Sequence, residues 1–451
     1  MLYMPLPPQG DTIAAIATAP GVGAVGIVRL SGPDAYNVGG KFFRPKNGRA
    51  LTQLPAGRIV YGRVTDKAEL VDESLLLTFR APHSYTGEDV LELQTHGGPA
   101  VLRRVLELCV RHGARLAEPG EFTLRAYLSG RLDLVQAEAV LELVNAQSDS
   151  ARRSAALGLT KALSEQLGLI QSDVTQVYGD VQAMFDYPDE GVPEAEFAEP
   201  LGRAVGRIDK LLGTAKAGRV AQRGARLALI GKPNAGKSSL LNALLGYGRS
   251  LISDVPGTTR DYLEAPLDVL GVPVTAVDTA GIRETGDAVE ASGVELARSI
   301  AQNADLSLLL LDTSRELDAS DLTLMSDLDP ARLLVLASKT DLEPVWTPED
   351  LPVAVLNVSA TTGAGLDVLR TQIRDKLIGD AGQSELWLGG ERQISALETV
   401  RDHLLRAQAA PDDLAALDLA DALKTLAELT GRGDVAEETL EHIFKNFCVG
   451  K

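Results

Sequence analysis

At 451 residues the chain is too long for a single hydrophobic core, and two or three domains are expected. A composition of 45% hydrophobic and 24% charged residues with few aromatics is that of an ordinary globular protein, which excludes disordered and collagen-like readings. The formal net charge of −18 argues against a generic nucleic-acid binder, because phosphate neutralisation needs concentrated cations; any RNA contact must be local or shared.

No cationic, apolar leader opens the N-terminus, and aliphatic runs such as Leu308 to Leu311, bounded by Asp305 and Asp312, fall far short of a bilayer span, so a cytoplasmic location is expected. Cys109 and Cys448 lie too far apart in sequence for a disulfide framework or a Cys-rich metal site. The basic pairs Arg103-Arg104 and Arg152-Arg153 fall on helical patterns and read as solvated faces.

From Asp11 to about Glu118 the pattern is β-rich, with strands expected at Thr12 to Thr18, Ala24 to Leu30 and Glu73 to Arg80, in an α+β domain over residues 1–118. From Pro119 apolar residues recur every three or four positions, as in Leu132, Ala137, Val140, Leu141 and Val144, predicting long amphipathic helices over 119–216 with a loop at Asp186 to Pro200. Across 217–378, strands at Leu227 to Ile230, Val274 to Asp278 and Leu306 to Asp312 alternate with helical patterns, which predicts a parallel α/β sheet. Helical periodicity resumes over 379–451, through Leu414 to Leu429 and Leu440 to Phe447. Helices on both sides of an α/β segment predict a Ras-like α/β domain inserted into a discontinuous all-helical domain.

Leu227 to Ile230 leads into Gly231-Lys232-Pro233-Asn234-Ala235-Gly236-Lys237-Ser238-Ser239, the G-x-x-x-x-G-K-[ST] pattern after a strand and before a helix. Glycines let successive N–H groups wrap phosphates, Lys237 neutralises the β/γ oxygens, and the Ser238 hydroxyl can ligate Mg²⁺. Three further segments follow in the order of a guanine-nucleotide hydrolase: Asp278-Thr279-Ala280-Gly281 at a strand end, Ser338-Lys339-Thr340-Asp341 after Leu333 to Ala337, and Ser359-Ala360 after Val353 to Val358. Asp278 can hold the Mg²⁺ shell through water, and the Gly281 amide can face the γ-phosphate. The Asp341 carboxylate can accept from guanine N1–H and its exocyclic amine, which adenine does not offer. Ser338 stands where this pattern usually has Asn. Ile282 occupies the place of a water-orienting glutamine, so another group must position water, and Glu290 is the candidate.

With these motifs the chain resembles the MnmE (TrmE) family of tRNA-modification GTPases from Asp11 to its last residue. Outside the nucleotide motifs the resemblance rests on Ser84 to Leu93, His96-Gly97-Gly98-Pro99, Pro119-Gly120-Glu121-Phe122-Thr123, Leu132 to Ala139, and Phe447-Cys448-Val449-Gly450-Lys451. It implies an N-terminal domain that dimerises and binds a folate of the 5-formyl-tetrahydrofolate type through Arg29, Glu92, Arg131 and Lys451. It further implies K⁺ held by Asn234, the carbonyls of Ser253 and Val255, and Thr258, with Thr259 completing Mg²⁺ coordination and Glu290 as catalytic acid. Cys448 matches a terminal cysteine of the family. Glu391-Arg392 departs from a more basic stretch, which puts tRNA contact there in question. The implied activity is GTP hydrolysis driving C5 aminomethyl or carboxymethylaminomethyl modification of tRNA wobble uridine by a homodimer, with an FAD-containing partner of the MnmG type. Two other readings stand beside it: a potassium-dependent ribosome-assembly GTPase, and a folate-binding dimeric scaffold with vestigial hydrolysis.

Overall fold

The computed structural model describes residues 10–146, 148–187, 197–248, 264–278, 299–379 and 386–451. Two compact units emerge, Met1–Leu141 with Leu423–Lys451, and Glu142–Ala422.

In the first unit, alternating apolar residues build a mixed sheet. Its strands are β1 (Ile13–Ile16), β2 (Gly23–Ser31), β3 (Phe43–Pro45), β4 (Arg58–Asp66), β5 (Glu69–Phe79), β6 (Val90–Gly97) and β7 (Arg115–Leu116), in the order β3-β4-β5-β6-β2-β1-β7. Along β4 the period of two buries Val60, Gly62 and Val64 while Ile59, Tyr61 and Arg63 face out. Helices Ala35–Phe42 and Pro99–Arg111 supply Phe42, Leu102, Val105 and Leu108 to a core shared with Val28, Leu30, Leu91 and Leu93. The chain's end belongs to this unit. Val449 bridges Pro119, the Phe122 N–H donates to an oxygen of Lys451 at 3.2 Å, and Phe444 lies beside Tyr127 and Phe447. Gly120 makes this seat possible: it has φ of +70°, and a Cβ there would stand 2.6 Å from the Phe444 carbonyl oxygen.

The second unit holds β8 (Ala225–Ile230), β9 (Glu264–Val269), β10 (Val272–Asp278), β11 (Leu306–Asp312), β12 (Leu333–Ser338) and β13 (Val355–Val358), in the order β13-β12-β11-β8-β10-β9. All neighbours pair in parallel except β9 and β10. The central strands are apolar on both faces, as a covered parallel sheet requires. Leu227, Leu229, Leu308, Leu310 and Leu336 pack with Leu240, Leu244, Leu369 and Ile373 from helices Lys237–Gly248 and Leu366–Ile378. Ala228, Ile230, Leu309, Leu311, Val335 and Ala337 pack on the other side with Leu324 of helix Ala319–Ser326. Helix Ala198–Leu212 packs against both Ala162–Asp186 and Glu391–Ala409, so segments before and after the sheet share one helical layer.

Several boundaries differ from the sequence expectation for local reasons. β1 is shorter than Thr12 to Thr18 because both threonine hydroxyls turn to backbone donors: Thr12 Oγ1 accepts from Asp34 N at 2.9 Å and Thr18 Oγ1 from Ile27 N at 3.2 Å. β5 starts earlier, at Glu69, because it pairs with β4 through the tight turn at Lys67. β13 begins only at Val355, after Pro352. Ala198 to Pro200 open a helix rather than close a loop; residues 188–196 of that expected loop lie outside the described residues. The final helices run Asp412–Thr430 and Glu437–Lys445, and Phe447 is buried beyond the helix end against Phe444. The pairs Arg152–Asp149 and Arg153–Asp149 neutralise one basic doublet, while in the other Arg104 pairs with Asp66 and Arg103 donates to the Pro99 carbonyl. Both cysteines are free thiols, Cys109 buried and Cys448 exposed.

Candidate functional site

The parallel strands of the second unit all end on one edge of the sheet, the edge where open α/β sheets bind ligands. There β8 runs into the loop Gly231 to Gly236 and then helix Lys237–Gly248. Gly231 has φ of +147°, and a Cβ there would meet the Leu310 carbonyl oxygen at 2.6 Å, so only glycine lets the loop pass β11 this closely. Asn234 at φ +64° and Gly236 at φ +98° turn the loop again before the helix. Lys237, 5% exposed, donates from Nζ to the carbonyls of Gly231 at 2.6 Å and Lys232 at 2.9 Å, closing the loop around its own ammonium. Ser238 and Ser239 are exposed in the helix's first turn, and Ala235 is buried beneath the loop. A curled backbone, a cation and hydroxyls at a helix N-terminus suit a polyphosphate.

The loop is fixed from two sides. Ser338, buried at the end of β12, donates from Oγ to the Ala235 carbonyl at 2.8 Å and to the Leu311 carbonyl at 3.2 Å. Lys232 Nζ pairs with the buried carboxylate of Asp321 at 3.0 Å and with Asp318, the residue that caps helix Ala319–Ser326. Burial works against the Lys232 charge, but the two aspartates outweigh it and raise its pKa.

Ser338 to Asp341 and Ser359-Ala360 meet the same edge. Lys339 takes φ of +61° and its Nζ pairs with Asp312 at 2.7 Å. Burial would raise the Asp312 carboxyl; the Lys339 ammonium and the Ser314 donors hold it below the ordinary range. Thr313 returns N–H and Oγ1 to the Ser338 carbonyl at 3.1 and 3.0 Å. Ser359, fully buried, donates from Oγ to Asp341 Oδ1 at 2.6 Å and accepts from Thr362 N at 3.1 Å, while Ala360 follows half-buried. Three segments far apart in sequence thus converge: the phosphate loop, Ser338 to Asp341, and Ser359-Ala360. Asp278 ends β10 in register with Leu229 of β8. Thr279, Ala280, Gly281, Ile282 and Glu290, and likewise Ser253, Val255, Thr258 and Thr259, lie outside the described residues.

A second cluster occupies the first unit. Arg29 and Glu92 are cross-strand partners on β2 and β6, joined at 2.8 Å with 18% and 16% of their side chains exposed. The Arg29 guanidinium lies 5.6 Å from the Tyr85 ring centre and 5.5 Å from that of Phe122, and Nη1 donates to the Gly450 carbonyl at 3.3 Å. Burial raises the Tyr85 phenol, while its bond to Thr123 and the charges of Arg29 and Arg131 pull the other way, which sets Arg131 near the cluster. Lys451 is held here through its backbone. A half-buried acid–base pair between aromatic rings suits a flat, polar ring system. Tyr85 and Phe122 have no role that the sequence alone assigns; their aromatic character beside the charges of Ser84 to Leu93 and Pro119 to Thr123 is the signal that could have found them.

Behind it, Glu121, 1% exposed, accepts from Arg115 at 2.7 Å and Arg125 at 2.9 Å, and Arg125 also reaches Asp11 at 2.5 Å and Glu88 at 3.1 Å. This network is invisible in the sequence and holds the rear of the cluster.

Residues 12–131 match the family model described as GTP-binding protein TrmE N-terminus, and residues 134–448 match that of the MnmE helical domain. The tRNA modification GTPase MnmE of Thermus thermophilus is 50% identical over 444 residues, covering 98% of this chain and 99% of that protein. The protein of the same name from Symbiobacterium thermophilum is 42% identical over 456 residues, covering 98% and 99%. The G domain of the T. maritima FeoB iron transporter aligns at 23% identity over 34% of this chain and 98% of that one, with a TM-score of 0.25, too slight a likeness to carry an argument. Two family models that together span nearly the whole chain, with relatives matched end to end, place it: this chain belongs to the MnmE (TrmE) family.

Proposed function

We propose that the chain is a GTP hydrolase that takes part in tRNA modification, acting at C5 of the wobble uridine. The observation that carries this is the convergence of the phosphate loop, Asp341 and Ser359 on one edge of a parallel sheet, in a chain related over its full length to proteins called tRNA modification GTPases. Asp341, with one oxygen fixed by Ser359, reads the guanine edge, and the Lys339 stem flanks the base while Asp312 anchors its ammonium. Lys237, Ser239 and the amides of Asn234, Ala235 and Gly236 hold the phosphates. Ser238 with Thr259, and Asp278 through water, would hold Mg²⁺, which neutralises charge on the phosphate oxygens. Thr279, Ala280 and Gly281 follow Asp278 toward the γ-phosphate, and Glu290 positions the attacking water.

The finer reading is that K⁺ activates hydrolysis and is held by Asn234, the carbonyls of Ser253 and Val255, and Thr258. Arg29, Glu92, Arg131 and Lys451 bind a 5-formyl-tetrahydrofolate or related folate that supplies the one-carbon unit; the Arg29–Glu92 pair between Tyr85 and Phe122 supports this. The chain works as a cytoplasmic homodimer with an FAD-dependent MnmG-type partner. Its domains are the folate-binding and dimerisation domain at 1–118, the helical domain at 119–216 and 379–451, and the inserted nucleotide domain at 217–378. The test is nucleoside analysis of wobble uridines in cells lacking the chain, alongside GTP turnover of the purified protein. Unchanged wobble uridines with active GTP turnover would leave a GTPase of another pathway, such as ribosome assembly; loss of the modification with no turnover would leave the folate scaffold.

A further inference from the structure

In a chain where acidic residues outnumber basic ones 62 to 44, residues 35–65 contain Lys41, Arg44, Lys46, Arg49, Arg58 and Arg63 and no carboxylate at all. The fold gathers the first part of this stretch around a cleft of about 480 Å³ in the first unit, lined by Asn37, Lys41, Arg44, Gly48, Arg49 and Thr52 among others. Its walls are firm. Arg44 Nη1 and Nη2 donate to the carbonyls of Gly40 at 2.7 Å and Lys41 at 2.9 Å, and so keep a positive charge at the end of helix Ala35–Phe42. Arg80 stacks 3.4 Å from the centre of the Tyr36 ring and donates to the Thr52 carbonyl at 3.2 Å.

The cations at the rim contrast with several arginines elsewhere. Arg104, Arg111, Arg152 and Arg153 are each neutralised by an aspartate. Lys41, Arg49 and Arg58 are exposed and form no ion pair among the described residues; Lys46 rests over the Tyr61 ring at 5.4 Å and helps hold the nearby Glu73 carboxyl below its ordinary range. A patch of uncompensated cations costs electrostatic self-repulsion unless an anion meets it. Three cations, Lys41, Arg44 and Arg49, line the cleft itself, more than one small anion requires and suited to a chain of phosphates.

We propose that this cleft and its rim bind the phosphate backbone of the tRNA substrate; the proposal rests on the tRNA-modification reading above. It answers how a protein of net charge −18 meets RNA, through one local cationic face in the unit that also holds the Arg29–Glu92 pair. The contacts are to phosphates, so they fix position on the tRNA and carry no base preference.

The test is binding of an unmodified tRNA transcript with uridine at the wobble position to the full-length protein, across a salt series. Lys41→Glu with Arg49→Glu should weaken binding about 10–100-fold at low salt and lower the salt slope by about 1–2, since each lost phosphate contact removes about 0.7–0.9. The charge-keeping pair Lys41→Arg with Arg49→Lys should bind as wild type, and GTP turnover should be unchanged in all, which verifies folding. Equal tRNA binding by wild type and the glutamate pair would overturn the assignment of this face while leaving the tRNA reading intact. If the glutamate pair binds tRNA normally but no longer joins an acidic protein partner, the face serves that protein and the proposal is wrong. A wild-type chain without any tRNA affinity, alone or with its modification partner, would instead strike the underlying reading.

Discussion

Ser359 and Asp341, 18 residues apart in sequence, share a 2.6 Å hydrogen bond in which the serine Oγ donates to Asp341 Oδ1. The bond orients the carboxylate in advance, so on the proposed reading a guanine edge would meet an acceptor already in place. Asp341→Asn replaces that acceptor with an amide and should shift preference from guanine toward xanthine. Ser359→Ala should raise the GTP KM about 3–10-fold, the worth of one hydrogen bond, with kcat nearly unchanged. Steady-state kinetics with GTP and XTP check both, and an Asp341→Asn protein with wild-type GTP affinity would reject the base-reading role.

Ser338 makes a separate claim, because its hydroxyl is spent on the phosphate loop and on β11. Ser338→Ala leaves the Ala235 and Leu311 carbonyls without this donor inside the fold, which costs about 1–3 kcal/mol. Affinities for GTP and GDP should fall together, about 5–50-fold, while guanine-over-xanthine selectivity holds, because Asp341 is untouched. Loss of selectivity with unchanged GDP affinity would mean that Ser338 contacts the base instead.

What could be read in the sequence follows how each feature is encoded. The phosphate loop is one contiguous run, and the strand before it and helix after it are set by local pattern, so its place was plain. The central strands were equally legible, since Leu306–Asp312 carries the unbroken run Leu308 to Leu311, which only a sheet covered on both faces accepts. The ties that hold the site were not. Ser338 reaches Ala235 across 103 positions, Lys232 reaches Asp321 across 89, and Arg125 reaches Asp11 across 114. No periodicity marks such partners, which are chosen by the crossing of strands. Arg29 read from residues alone is an ordinary strand charge. Only the β2–β6 register sets it opposite Glu92 and beneath two rings.

The Glu121 network predicts an acid response. Burial would raise the Glu121 carboxyl, but Arg115, the Glu118 N–H and Arg125 overcome it and hold the carboxyl below its ordinary range. A depressed folded pKa gives stability that is full above the unfolded value and is lost as pH falls through the folded one, so the loss belongs below about pH 4. Glu121→Ala leaves two arginines short of a buried partner and should cost about 3–5 kcal/mol near neutral pH. Hydrogen exchange in β1 and β7 reads it; unchanged protection there would show that the network adds nothing.

For the folate reading, Arg29→Ala or Glu92→Ala breaks a half-buried ion pair and leaves the other charge unmatched. Either should weaken 5-formyl-tetrahydrofolate binding about tenfold or more, by titration calorimetry, while GTP turnover stays near wild type because the pair and the phosphate loop belong to different units. Intact folate binding with lost turnover would contradict the assignment.

Hydrolysis should depend on potassium and on pairing of two nucleotide domains in one dimer, without a separate activating protein. Ile282 offers no polar atom to orient water, and none of the motif residues is an evident arginine finger, so positive charge for the developing transition state must come from elsewhere. Asn234, exposed at φ +64° within the phosphate loop, carries an amide oxygen that a cation beside the phosphates could use. Together with the carbonyls of Ser253 and Val255 and with Thr258 it would make an oxygen cage for a monovalent cation. A loop folded over that ion would meet its copy in the second subunit, so nucleotide, cation and pairing become thermodynamically linked. Glu290 would then position the attacking water. Glu290→Ala should keep GTP binding and lose about 10²–10⁴ in turnover, the usual cost of removing a positioning or proton-handling group. Sodium, being smaller, should support much less of both pairing and turnover than potassium. Equal rates in sodium and potassium buffers would sink the cation's role, and a Glu290→Ala protein turning over at the wild-type rate would sink that of the glutamate.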